Sequence, residues 1–271
     1  MGIGINNPNS VGSLLNQHND RLSTSFSRLS SAKQINSAKD NAAGLAIVER
    51  FASQIIGSSQ GYRNTNDGIS LAQTADGYSS QITELIQRGR DLAMQSANGS
   101  LSDADRAVLQ TEFSMIQDEV SRLTETAEFN GQKLLNKNAE LNFQVDANAA
   151  DQVNIKTVDL QSNLGSSGFF SADLSTQTGA SGALSVVDDS MAQVNTLRAE
   201  YGANLNRFES IARNLQNKEE NLSAAKSRIM DTDYARTISE HNRDLLLRDA
   251  ATALSSQANF SSQQIMGLLS S

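Results

Sequence analysis

The sequence predicts a mainly α protein, a long antiparallel helical coiled-coil bundle with a small β-hairpin. The chain of 271 residues contains a single proline, Pro8. A proline inside a helix costs roughly 3 kcal/mol, so its near absence permits very long helices. Apolar residues also recur at alternating steps of four and three in both halves of the chain, which is typical of helices packed along other helices. In a short middle segment they alternate instead, as in a strand.

Three apolar stripes predict helices in the first half of the chain. The first stripe consists of Val11, Leu15, Leu22, Phe26 and Leu29. The second covers residues 71–92, after a polar break over 58–64, and the third covers 109–127. Turn-forming residues at 98–102 separate the second stripe from the third. The Asn-Gly pair at 130–131 is expected to close the third helix.

The middle of the chain changes character. Its alternating apolar residues are Leu141, Phe143, Val145, Val153 and Ile155. They predict a β-hairpin over about 141–158, with its turn between the two alternating runs. The following residues, 161–182, are rich in Ser, Gly and Thr and have no period. They are expected to form a short variable loop on the surface.

The longest helical pattern covers residues 183–229. Its heptad core positions are Val187, Met191, Val194, Arg198, Tyr201, Leu205, Phe208, Ala212, Leu215, Glu219, Leu222, Lys226 and Ile229. Polar residues at core positions can fix the register of a bundle at a cost in stability. Alternatively, Arg198, Glu219 and Lys226 lie at the edge and extend their charged ends into water. The pattern leaves both interpretations open.

A weaker stripe occupies the last segment, residues 243–269. Its principal members are Leu246, Leu254, Ile265, Leu268 and Leu269. Isolated amphipathic helices of this kind are marginal in water. The stripes at the two termini are therefore expected to pair with each other and with neighbouring copies of the chain. This is the first indication that the protein assembles.

Composition argues against several classes of function. The net charge is −8 and there is no long basic run, so nucleic-acid binding is not expected. No cysteine is present, which removes disulfides and thiol chemistry. The two histidines, His18 and His241, have no metal-ligand spacing, and the acidic pairs fit solvated helix faces. No catalytic, cofactor-binding or metal-binding residues are predicted, and the chain is not expected to be an enzyme.

No stretch of the sequence approaches the length of a membrane-spanning helix, so no membrane insertion is expected. The first twenty residues lack the charged and apolar regions of a cleaved secretory signal. A protein of this kind that acts outside the cell would need another route of export.

Several separate segments of the chain resemble bacterial flagellins. In the first half these are RLSSAKQINSAKDNAAGLAI at 28–47, NDGISLAQTADG at 66–77, QRGRDLAMQSANG at 87–99 and EFNGQKLL at 128–135. In the second half they are NRFESIARNLQNKEENLSAAKSRIMDTDYA at 206–235 and ATALSSQANFSSQQIMGLL at 251–269. The chain is similar to a short form of the family, without large outer domains. Ala32 stands where family members usually carry glycine, which makes a sharp helix end there less certain.

The resemblance implies a division into domains. Residues 1–40 and 235–271 would form an inner domain in which the terminal helices pair. Residues 41–160 and 183–234 would form an outer core bundle that includes the hairpin. Residues 161–182 would replace the variable outer domains of longer relatives.

The resemblance also implies a structural subunit that polymerises into the bacterial flagellar filament for motility. The alternative is a hook–filament junction protein, which copy number in the flagellum would distinguish. Expected partners are many copies of the same chain, a flagellar export chaperone, and the filament cap and hook-junction proteins. The expected location is extracellular, in the flagellum, after type III export without a cleaved signal peptide.

One further partner is implied by the resemblance alone. A Toll-like receptor of animal innate immunity recognises flagellins through an Arg, a Leu and a Glu of the core bundle. The matching residues in this sequence are Arg88, Leu92 and Glu112. The competing interpretation is that these residues serve only contacts between subunits.

Overall fold

A computed structural model describes the backbone of residues 8–269, and side-chain burial over most of that range. Six α-helices account for most of the described chain, and two short hairpins lie between α3 and α4. The helices are α1 (Pro8–Ser31), α2 (Ala38–Ser96), α3 (Asp103–Thr126), α4 (Leu160–Ser166), α5 (Gln177–Met230) and α6 (Tyr234–Leu269). The strands are β1 (Glu128–Phe129), β2 (Gln132–Lys133), β3 (Asn136–Gln144) and β4 (Gln152–Asp159). The mainly α fold with a small hairpin is confirmed.

The chain divides into two compact units. Unit 1 comprises residues 1–54 and 221–271, and unit 2 comprises residues 55–220. The inner and outer domains expected from the sequence divide at 40/41 and 234/235. Those boundaries stay predictions. The two units are defined by contacts within one copy, whereas the inner and outer domains are defined by their position in the filament.

Unit 1 is built around α1 and α6, which pack against each other. Helix α1 ends at Ser31, where Ala32 adopts a left-handed backbone with φ 60°. The sharp helix end therefore forms with alanine in place of glycine. The N–H of Gln34 donates to the carbonyl of Met230 at 2.6 Å. The N–H of Thr232 donates to the carbonyl of Ala32 at 3.0 Å. These bonds join the segments between the helices of unit 1.

Unit 2 contains the apolar core. Its cluster of buried residues runs from Leu71 to Phe208 and combines α2, α3, α5 and the β3–β4 hairpin. Edge-to-face aromatic pairs join separate elements: the ring centroids of Phe113 and Phe169 are 6.0 Å apart, and those of Phe143 and Phe208 are 5.7 Å apart. The heptad pattern of α5 accounts for its part of this core. Among the predicted core positions, those fully buried are Val187, Val194, Tyr201, Phe208 and Leu215.

The polar break expected at residues 58–64 is wrong, because α2 continues through it. The polar and small residues there receive the tip of the β3–β4 hairpin. Asn64 donates through Nδ2 to the carbonyl of Gln144 at 2.8 Å. An ideal Cβ built on Gly61 would collide with the carbonyl group of Val145. The sequence is polar here because the partner is a backbone turn and not another apolar stripe.

The Asn130-Gly131 pair does not close the third helix, since α3 ends four residues earlier, at Thr126. Both residues have positive φ, 49° and 76°, between the paired strands β1 and β2. Two consecutive positive φ angles are those of a type I′ hairpin turn, for which Asn-Gly is the preferred sequence. The pair thus forms a second, very short hairpin.

The surface loop expected over 161–182 is also wrong. The segment holds most of α4, a 3-10 turn at Phe169–Ser171 and the first residues of α5. Its fully buried residues are Leu164, Phe169, Leu174 and Ala180. Gln117 of α3 donates to the carbonyls of Phe169 and Ala172, at 2.6 and 3.2 Å. A few well-spaced apolar residues and a buried amide fix this segment to the core without any regular period.

Candidate assembly surface

The contact between α1 and α6 includes several buried polar side chains. We call it the terminal seam, and its buried residues are Leu22, Ser25, Thr237, Asp244 and Ala251. His18 Nδ1 lies 3.3 Å from Asp244 Oδ1, and Ser25 Oγ lies 2.8 Å from His241 Nδ1. Both histidines of the chain therefore lie in the seam and bond across it. The described part of the seam thus combines hydrogen bonds between the two helices with the buried apolar residues Leu22 and Ala251.

The apolar residues predicted to mediate assembly divide into two groups. Leu22 is buried in the seam, and Leu15 and Leu29 are half-buried. Phe26, Leu246 and Leu254 instead face solvent, with exposures of 66%, 72% and 53%. The remaining members, Val11, Ile265, Leu268 and Leu269, lie outside the residues whose side chains are described.

Five further large apolar residues of α1 and α6 are exposed, and the sequence stripes missed them. They are Leu14, Tyr234, Ile238, Leu247 and Phe260. All of them except Phe260 have an apolar neighbour three or four positions away, so a wider helical face would have included those four. Exposed apolar side chains at this density mark a surface made for contact with another protein.

Unit 2 carries the residues matched to the immune receptor. Arg88 donates to Glu112 Oε1 from Nε and Nη2, at 2.9 and 2.6 Å, and both side chains are about half exposed. Leu92 is only 1% exposed and belongs to the apolar core. The structure thus brings Arg88 and Glu112 together on the surface of α2 and α3, with Leu92 packed inside.

The tip of the β3–β4 hairpin is held by Asp146. Its carboxylate accepts hydrogen bonds from Ser58 on α2 and from Lys218 on α5. Burial by itself raises the pKa of Asp146, but the bonds from Lys218, from the N–H of Ala147 and from Ser58 outweigh it, so the pKa lies below its usual value. We call this arrangement the hairpin clasp. It fixes the hairpin to both long helices of unit 2.

The polar heptad residue Arg198 lies at an edge of the unit 2 core. Its Nε is 3.0 Å from Asp76 Oδ1, and both side chains are about one third exposed. The ion pair joins α5 to α2 beside Tyr201 and Val194, which favours the edge position over a buried one.

Two kinds of site are absent from the part of the chain that the structure describes. No three His, Asp or Glu side chains there are grouped as ligands for a metal ion. None of the described helices is apolar enough over a sufficient length to cross a membrane.

Comparisons with known proteins match nearly the whole chain. Residues 6–140 match the bacterial flagellin N-terminal helical region, and residues 184–269 match the bacterial flagellin C-terminal helical region. A flagellin of Halalkalibacterium halodurans is 38% identical over 243 residues, 89% of each chain. The flagellin of Bacillus subtilis is 35% identical over 288 residues, covering 94% of this chain and 95% of its own.

Among solved structures, Bacillus cereus flagellin matches with a TM-score of 0.53 and 28% identity, over 60% of this chain and 94% of its own. A putative flagellar hook-associated protein from Vibrio parahaemolyticus shares the fold, with a TM-score of 0.59, at only 15% identity. The relatives with substantial identity are filament proteins, and none of these findings favours the junction alternative. The chain therefore belongs to the bacterial flagellin family and is a structural subunit of the flagellar filament.

Proposed function

We propose that unit 1 supplies the principal contacts between copies in the filament, through the apolar residues that α1 and α6 leave exposed. The observation that carries this proposal is the exposure of Phe26, Leu246 and Leu254 on the two helices that form the terminal seam. Burying one such side chain contributes roughly 1.5–3 kcal/mol. Several of them, repeated at every contact of a polymer, would supply a large part of the free energy of assembly.

The test is the critical concentration for polymerisation of the purified chain, with filaments verified by electron microscopy. Leu246→Ser should raise this concentration about tenfold or more, since each 1.4 kcal/mol corresponds to a factor of ten. Asn242→Ser is the matched control, because Asn242 is an exposed polar residue one turn earlier on α6. Filaments of the Leu246 variant with an unchanged critical concentration would refute the proposed contact.

Two further proposals concern export. The chain is exported by the flagellar type III apparatus without a cleaved signal peptide, and a cytoplasmic chaperone covers residues 243–271 beforehand. Exposure of Leu246, Leu247 and Leu254 supports the second, because a chaperone can bind an apolar helix face. Deleting residues 243–271 should abolish chaperone capture, and capture that persists would contradict it. In the flagellum, the chain would also contact the filament cap and hook-junction proteins, and it would have no catalytic activity.

Recognition by an innate-immune receptor is proposed for the surface around Arg88 and Glu112. Their exposed ion pair supports direct contact, whereas buried Leu92 would act by supporting the helix surface above it. Arg88→Ala should lower receptor signalling by monomeric protein in reporter cells. Arg122→Ala, which removes another exposed arginine of unit 2, is the control. Equal signalling by both variants would remove Arg88 from the contact.

A further inference from the structure

A groove of about 390 Å³ lies between α1 and α6 in unit 1, beside the terminal seam. Three arginines line it: Arg21 and Arg28 from α1, and Arg243 from α6. We call it the arginine groove. It lies on one side of the paired helices and is open to solvent, so a segment of another molecule can reach it.

The positive charges of the arginine groove have no acidic partner at bonding distance. Within the described part of the chain, none of the three guanidinium groups forms a hydrogen bond or an ion pair, and Nε of Arg28 is buried with no acceptor. A buried donor without a partner is costly. The groove is therefore incomplete in a single copy.

The acidic residues of the same groove are mostly occupied. Asp244 lies against His18, and Glu240 accepts from Arg236 at 3.0 Å. Only Asp20 contributes a carboxylate with no such bond. Three guanidinium groups without a bonded acceptor thus line the groove beside one unbonded carboxylate, so the groove has more free guanidinium donors than free carboxylate acceptors.

The acidity of the chain lies mainly in the other unit. Unit 1 has ten Lys and Arg against eight Asp and Glu, a net charge of +2. Unit 2 has twelve Lys and Arg against twenty-two Asp and Glu, a net charge of −10. In a polymer of one chain, the acidic surface available in the largest amount is unit 2 of another copy.

We infer that the arginine groove receives carboxylates from the acidic surface of unit 2 of a second copy. Guanidinium groups bind carboxylates in a fixed, often bidentate geometry, which favours one orientation of the incoming segment. The contact would fix how neighbouring copies are aligned, in addition to the apolar contacts. This inference rests on the proposed function, because it assumes that copies meet through unit 1.

The first experiment compares charge-matched variants of the full chain. Arg28→Gln combined with Arg243→Gln should raise the critical concentration for polymerisation about tenfold or more. Arg50→Gln combined with Arg228→Gln removes the same charge from unit 1 outside the groove and should change the critical concentration by less than about threefold. Equal shifts in the two double variants would overturn the inference. Circular dichroism of each monomer establishes whether the variants fold alike.

The second experiment identifies the partner and does not depend on losing a contact. Arg28→Lys places an amine in the groove, and a carbodiimide then joins it to a nearby carboxylate as an amide, while the water lost converts the carbodiimide to a urea. Filaments are grown from a mixture of ¹⁴N- and ¹⁵N-labelled variant chains. We expect cross-linked peptides of mixed label that join position 28 to acidic residues within 55–220.

The outcomes separate the inference from the proposed function. Cross-links within a single copy alone, for example to Asp20 or Glu240, would overturn the inference while filament formation stands. Mixed-label cross-links to acids of unit 1 alone would also overturn it. If the wild-type chain forms no filaments under polymerising conditions, the proposed function itself fails.

Discussion

Unit 2 buries most of its large apolar residues within one copy, whereas unit 1 leaves many of its own exposed. The apolar cluster of unit 2 extends over residues 71–208 and includes fully buried Phe113, Phe169 and Tyr201. Among the described side chains of unit 1, the buried apolar residues are Leu22, Ile35, Val48 and Ala251. Both units are made of long helices, so helix content does not explain the difference. Unit 2 has an apolar core within one copy, and we expect the exposed apolar residues of unit 1 to be buried against neighbouring copies.

The largest expected effect separates the two units directly. Phe113→Ala should lower the free energy of unfolding of the monomer by about 3–5 kcal/mol, because it leaves a cavity in the core. Leu254→Ala should change it by no more than about 0.5 kcal/mol, since that side chain is already exposed. Urea unfolding of each monomer, followed by circular dichroism, measures both. A comparable loss in the two variants would break the distinction between the units.

A smaller effect tests whether the hairpin belongs to the packed part of unit 2. A methyl group at Gly61 would meet the carbonyl of Val145, so Gly61→Ala should destabilise the monomer by about 1–3 kcal/mol. Gly77→Ala, on the same helix with no atom within 4 Å of the new methyl, should stabilise it by roughly 0.5–1 kcal/mol. Thermal unfolding of both variants gives the comparison. Stabilisation by both substitutions would mean that the tip does not pack on α2 in solution.

The hairpin clasp gives an effect that depends on pH. Asp146→Asn should cost about 1–2 kcal/mol at neutral pH, because the charged hydrogen bond with Lys218 is lost. Since the pKa of Asp146 is lowered in the folded state, its stabilisation is present above its unfolded pKa of about 3.9 and is lost as pH falls through the lower folded value. Urea unfolding at several pH values should show a constant difference from wild type between pH 7 and 5 that shrinks below about pH 4. A difference that grows in acid would contradict the clasp.

The smallest expected effect concerns unit 1. Ala32 has a left-handed backbone that costs roughly 1–2 kcal/mol for a residue with a side chain. Ala32→Gly removes that cost, but the greater freedom of glycine in the unfolded chain offsets part of the stabilisation. The substitution should therefore stabilise unit 1 by about 0.5–1 kcal/mol. Ala46→Gly, at an exposed position further along α2, is the control and should be destabilising by a similar amount. Hydrogen exchange of the amides around residues 31–34 measures the change, and slower exchange is expected for Ala32→Gly alone.

The sequence predicts secondary structure best where apolar residues recur with a regular period over many positions. The stripe of α5 and the alternation of the β3–β4 hairpin are of this kind, and both were confirmed. The sequence does not indicate the structure of residues 58–64 and 161–182, because a few long-range contacts fix them. Examples are the backbone turn on Gly61 in the first segment and Phe169 against Phe113 in the second. The periodicity of apolar residues along the sequence carries no information about such contacts.

The candidate site shows the same limit. The exposed members of the predicted stripes, such as Phe26 and Leu246, share helix faces with Leu14 and Leu247, which were missed. A stripe indicates that a face is apolar but not whether the partner lies in the same copy. The arginine groove was not predictable either, because its charges come from α1 and α6, which are far apart in sequence.

The hairpin clasp has a consequence for the order in which the chain folds. His18 and Asp244 are separated by 226 residues, so closing the terminal seam first would require a very long loop. Because Asp146 holds Ser58 and Lys218 together, folding of unit 2 leaves about a third of that length to be closed. This lowers the entropic cost of closure by roughly 1 kcal/mol. We therefore expect unit 2 to fold first. Helix α1 then pairs with α6 in a later step.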